Sequence, residues 1–163
     1  AYDIALKYSG KFGDNMKLAG AIAYSDYPSD DATRQKDKLV NGSLSFLFSG
    51  ISVTGAFGQM DYQNVTSTDP DSGKDYYGYL GYMANFTDAG STNFAIDYGK
   101  YDETSGIKDD EGSTYALYVV QNLNAFSTEC YAGYRIYKRE DLSALNQKFD
   151  DISALFVGAR IKF

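Results

Sequence analysis

Apolar residues recur at every second position through most of this chain, the period of an extended strand with one apolar face. In residues 1–9, Tyr2, Ile4, Leu6 and Tyr8 alternate with Asp3, Ala5, Lys7 and Ser9. The same alternation predicts strands over 16–25, 38–48, 51–62, 75–86, 93–101, 113–123 and 128–137. The stretch from Phe149 to Phe163 supplies a ninth, with Leu155, Val157, Ala159, Ile161 and Phe163 opposite Ala154, Phe156, Gly158, Arg160 and Lys162. Two strands leave their faces open. In 51–62, Ile51, Val53 and Phe57 compete with Ala56, Met60 and Tyr62, and a bulge would reconcile them. In 113–123, Tyr115, Leu117 and Val119 compete with Ala116, Tyr118 and Val120.

Short and long connections alternate strictly. The short ones fall at 10–15, 49–50, 87–92 and 124–127, and the long ones at 26–37, 63–74, 102–112 and 138–148. Aromatic residues end the apolar stripes. Tyr2, Tyr24, Tyr76 and Tyr98 mark the long-connection end; Phe48, Phe86, Phe94 and Phe163 mark the other. Transmembrane β-barrels have short turns on one side, long loops on the other, and an aromatic girdle at each interface. The pattern therefore predicts an all-β, antiparallel transmembrane barrel. Nine strands is an odd number, whereas bacterial barrels have even numbers. Two readings stand: residues 1–163 are the C-terminal part of one barrel domain, nine strands of about 16, or the chain is a complete eight-stranded barrel.

The closing segment Phe156-Val157-Gly158-Ala159-Arg160-Ile161-Lys162-Phe163 resembles that of the trimeric porins of Gram-negative outer membranes, in its alternation, its Gly-x-Arg element and its terminal Phe. The resemblance implies a homotrimer in the outer membrane, surrounded by lipid and lipopolysaccharide. It also implies passive diffusion of small hydrophilic solutes and ions through a water-filled pore. The family's inward-folded constriction loop would belong to an N-terminal half of the barrel.

Composition narrows the alternatives. The net charge of −7 argues against nucleic acid as a partner. No run of 18 apolar residues is present, so no membrane-crossing helix is expected, which says nothing against a barrel. Cys130 is single and cannot form an internal disulfide. The chain has no His, the commonest general base and metal ligand, and no phosphate loop or nucleophile elbow. No enzyme activity and no cofactor are expected. The stretch 69–75 has the acids of a calcium loop but neither its spacing nor its closing Glu, so no metal site is assigned.

The long connections, taken as 26–37, 63–75, 102–111 and 138–151, hold 16 of the 22 acids and 7 of the 15 bases. The strands are thus mildly basic and the connections acidic. On the polar faces, Lys7, Lys17, Arg135, Arg160 and Lys162 are the candidate pore-lining bases, with Asp97 and Glu129 as acids. In a water-filled pore such charges set the field that an ion meets. Two other readings use the same strands: a small barrel whose external loops bind a partner, and a soluble barrel holding an apolar ligand. The second requires apolar residues inside, and here the polar face carries Asn41, Ser43, Ser45, Asp97, Glu129 and Arg135.

Overall fold

The computed structural model describes residues 1–27, 37–62, 69–141 and 149–162, apart from the side chain of Asp141. Nine strands form one antiparallel meander in sequence order. They are β1 (Tyr2–Phe12), β2 (Met16–Tyr27), β3 (Asp37–Phe48), β4 (Ile51–Asp61), β5 (Ser72–Thr87), β6 (Gly90–Asp102), β7 (Asp110–Leu123), β8 (Thr128–Asp141) and β9 (Ile152–Ile161). The sheet is not closed: β1 and β9 each pair on one edge only.

Tight hairpins join the strands at one end. Ser49 (φ 47°) and Gly50 (φ 84°) both lie in the left-handed region, as a two-residue turn matched to strand twist requires. Backbone hydrogen bonds tie these hairpins to neighbouring turns and strand ends. Ser49 N donates to Asn15 O (3.2 Å), Met83 N to Gly50 O (2.8 Å), Asn124 N to Ala89 O (2.8 Å) and Lys162 N to Ser127 O (2.7 Å).

Residues paired across an antiparallel ladder share a face. This resolves both open strands. Phe94, Ile96 and Tyr98 pair with Val119, Leu117 and Tyr115, so those three of β7 join the apolar face, and Ala116, Tyr118 and Val120 the polar one. In β4, Ile51, Val53 and Phe57 pair with Tyr82, Leu80 and Tyr76 in an unbroken register, so the expected bulge is absent there. Met60 lies near the long-connection end of β4, where side chains no longer face hydrocarbon and apolarity loses its meaning for facing. The register shift falls instead between Ala84 and Thr87 of β5. Several strands also run further than alternation indicated: β5 begins at Ser72, β7 at Asp110, and β8 reaches Asp141. Beyond the apolar band neither face meets hydrocarbon, so the ladder continues without an alternating signal.

The described sheet has no dry core. Ala116 is its one buried hydrophobic residue, and no large side chain is fully buried. Leu6, Leu155 and Val157 are 72%, 75% and 74% exposed. Burying a Leu or Val side chain is worth about 1.5–3 kcal/mol, so an entire face of such residues must be covered by something apolar.

The aromatic residues show how the strands tilt. On the apolar face, Tyr2 meets Tyr24 (ring centroids 6.0 Å), Phe57 meets Tyr76 (5.4 Å) and Tyr98 meets Tyr115 (5.0 Å). Following the register from Tyr24 across to β8 arrives at Glu140, whereas the aromatic band arrives at Tyr134, six residues lower. The band thus drops one residue per strand. At about 3.3 Å per residue and 4.8 Å per strand, that is a tilt of about 35°, within the range of membrane-spanning barrel strands. At the hairpin end, Phe86 contacts Phe94 (6.1 Å) and Phe48 stands opposite Ile51 and Met16. Phe163, expected in this lower girdle, lies outside the described residues.

Candidate pore-lining face

The opposite face is polar, and six of the seven charged residues expected there share it by register. Lys7 stands opposite Ala21, Lys17 opposite Leu47, Asp97 opposite Ala116, Arg135 opposite Ala116, and Glu129 opposite Arg160. Lys162 follows Arg160 by two residues. Their surroundings differ, and they fall into three groups.

The first group is a cross-strand ion pair. Arg135 on β8 reaches over Ala116 of β7 to Asp97 on β6, with Nη2 2.7 Å from Oδ2. Ala116 is small enough to let the guanidinium cross. Tyr118 donates its phenol hydrogen to the same oxygen of Asp97 (2.8 Å) and accepts from Arg135. The guanidinium also lies 5.9 Å from the Tyr118 ring centroid and 5.8 Å from that of Tyr137. The Asp97 side chain is only 4% exposed and that of Arg135 24%. Asp97 Oδ1 is buried without a hydrogen-bond partner among the described residues. Bidentate or doubly donated carboxylates are held rigidly, so this pair is a fixed feature of the wall.

The second group sits near the hairpin end of β8 and β9. Glu129 accepts from Lys162 Nζ (2.8 Å) and from Arg160. One acid here offsets part of two bases. The third group is on β1 and β2: Lys7 and Lys17 are exposed and form no ion pair among the described residues.

Sequence reading missed three participants. Tyr118 was one of two possible facings of β7, and only the register puts its phenol beside Asp97. Lys11 fell inside an expected turn, but β1 extends to Phe12 and places Lys11 opposite Lys17 on the polar face. The connection 103–109 is folded rather than open. Asp110 accepts from Arg139 Nε (2.8 Å) and Nη2 (2.9 Å) and from Ser105 Oγ (2.5 Å). Glu103 N donates to Asp110 O (2.7 Å), and Tyr62 donates to Glu103 O (3.0 Å). A Cβ on Gly73 would come within 2.9 Å of Glu103 O and Thr104 Cα. The connection therefore lies against the polar face of β5 at the mouth, and only glycine admits it. Asp110 stands five residues above Tyr115, beyond the apolar band. The Arg139 hydrogen bonds, with Ser105 assisting and burial opposing, hold its carboxyl below the usual range.

On the apolar face, Lys100 bonds Asp102 (3.0 Å) and Glu111 (3.4 Å), just above Tyr98. Asp26, Lys38 and Asp61 pair in register at the same end. Charge returns where the aromatic band stops, as at a membrane–water interface.

A tilted, coreless, antiparallel sheet with an aromatic-banded apolar face and a charged polar face is the wall of a membrane-spanning β-structure. The sequence profile of the Gram-negative porins matches residues 1–142, and the chain belongs to that family. It is accordingly a non-enzymatic protein of the Gram-negative outer membrane. No curated protein matches the chain. The family match ends before residues 149–163, so it rests on different residues from the closing-segment resemblance.

Proposed function

We propose that this chain is the C-terminal part of a single barrel domain that conducts small hydrophilic solutes and ions passively across the outer membrane. The observation that carries this reading is a sheet face that bears the charged and hydroxyl-bearing side chains while the other face suits lipid: in a closed wall, that face would enclose water. Lys7, Lys17, Asp97, Glu129, Arg135, Arg160 and Lys162 would then line the pore. Family membership supports the diffusion role.

Closure needs further strands. With nine strands, β1 and β9 run in the same direction, so pairing them would be parallel. An odd number of added strands restores antiparallel pairing on both edges, and seven give a wall of about 16. An unpaired edge in hydrocarbon leaves backbone groups unsatisfied at several kcal/mol each. The apolar exterior and its charged collar suit lipid and lipopolysaccharide, and a homotrimer is the assembly the family resemblance implies. The test is reconstitution of the assembled protein into planar bilayers and liposomes. Stepwise conductance and swelling in small sugars are expected; a sealed bilayer would refute the reading.

A further inference from the structure

We propose that the polar face is polarised along the strand axis, so that the pore rectifies current, with Lys7, Lys11 and Lys17 as its uncompensated cationic end. The inference rests on the pore reading above and adds a direction to it.

When positions are corrected for the one-residue drop per strand, the polar-face charges separate by height. The half next to the long connections carries Asp3, Asp37, Asp75, Asp97 and Asp110. Its two bases, Arg135 and Arg139, are engaged with Asp97 and Asp110. Asp3, Asp37 and Asp75 form no ion pair among the described residues, which leaves this half net acidic. The hairpin half is the reverse. Its one strand acid, Glu129, is shared between Arg160 and Lys162, and the hairpin turns add Asp14 and Asp88. Lys7, Lys11 and Lys17 are exposed and have no acidic partner among the described residues.

The placement of Lys11 is the sharper observation. It stands directly opposite Lys17, and like charges in that position destabilise a sheet. Nothing in the packing calls for it. Ala5, Ala19, Ala21 and Ala23 form most of the neighbouring floor, with Leu47 beside Lys17, and all three lysines are exposed.

Fixed acids at one mouth enrich cations there, and fixed lysines at the other enrich anions. A voltage that draws cations in from the acidic end and anions from the lysine end fills the pore with both. The opposite voltage draws each ion from the end that excludes it and depletes the pore. Current is therefore larger when the long-connection side is positive. The Debye length is about 10 Å at 0.1 M salt and 3 Å at 1 M, so the asymmetry belongs to dilute electrolyte.

Single-channel recording of the assembled channel in potassium chloride tests this, since each channel has one orientation. At about 0.1 M the currents at equal and opposite voltages are expected to differ, and at about 1 M to converge. The triple variant Lys7→Gln, Lys11→Gln, Lys17→Gln should move the low-salt ratio toward one while single-channel steps persist. A conducting channel with equal currents at low salt, or a ratio unchanged in the variant, overturns the inference and leaves the pore reading intact. Absence of conductance in the unaltered protein overturns both.

Discussion

Replacing Arg135 by Ala removes the charged partner of an almost fully buried carboxylate. Asp97 would keep one donor, the Tyr118 hydroxyl, and lose the 2.7 Å contact from the guanidinium. Breaking a buried pair costs about 3–5 kcal/mol, and losing a hydrogen bond to a charged group about 1.5–3. The Asp97 side chain is 4% exposed, but Arg135 is 24% exposed and faces the wet side of the wall, which places the cost between the two ranges, at about 3 kcal/mol. Removing both charges should cost less than removing Arg135 alone, because no orphaned carboxylate remains. The assay is urea unfolding of the protein folded in lipid vesicles, followed by far-ultraviolet circular dichroism, for Arg135→Ala, Asp97→Asn and the double variant. The 16 tyrosines supply fluorescence as a second probe. Strict additivity of the two changes, or an Arg135→Ala variant within about 0.5 kcal/mol of the parent, would refute a coupled pair bridging β7. Ala116→Leu offers a check that touches neither charge: a larger side chain under the guanidinium should reproduce part of the Arg135→Ala loss.

On the apolar face, Leu44→Arg should cost about 2–4 kcal/mol for folding into lipid, since Leu44 lies midway along its stripe and is 59% exposed. Ser43→Arg, one residue away on the polar face, should be near neutral in the same vesicle assay. At the mouth, Arg139→Ala should raise amide exchange in the connection 103–109 at neutral pH by releasing Asp110. In the parent protein a depressed carboxyl stabilises the folded connection above its unfolded pKa of about 3.9. That stabilisation is lost as pH falls through the lower folded value, so protection should survive to about pH 4 and fail only below it; loss of protection near pH 6 would contradict the clasp.

Strand existence was legible because half of each strand faces hydrocarbon and half faces water, so period two is written into residue type. Tyr2 to Tyr8 shows this at its plainest. Legibility stopped where that contrast stops. Ser72–Asp75 and Asp110–Thr114 lie beyond the apolar band, where neither side meets hydrocarbon, and their backbone ladders leave no trace in alternation. Met60 was a false signal for the same reason. The charged positions were legible by parity, but not their partners: Arg135 and Asp97 are separated by 38 residues, and only cross-strand register brings them into contact. Lys11 was hidden by Gly10 and Gly13, which resemble turn punctuation although only Gly13 has a positive φ.

Register and residue type together carry one further step of reasoning. Each strand alone says which residues face lipid, but not how steeply it crosses. The aromatic band supplies the level of the membrane surface, and its drop of one residue per strand converts that level into a tilt. Once the tilt is known, two polar-face charges can be compared in height even when they lie on distant strands. By that measure Arg135, one of the five candidate bases, sits in the acidic half and is neutralised by Asp97. In the proposed pore, the bases with no described acid to answer them would be Lys7, Lys11 and Lys17 on β1 and β2, while Arg160 and Lys162 share Glu129.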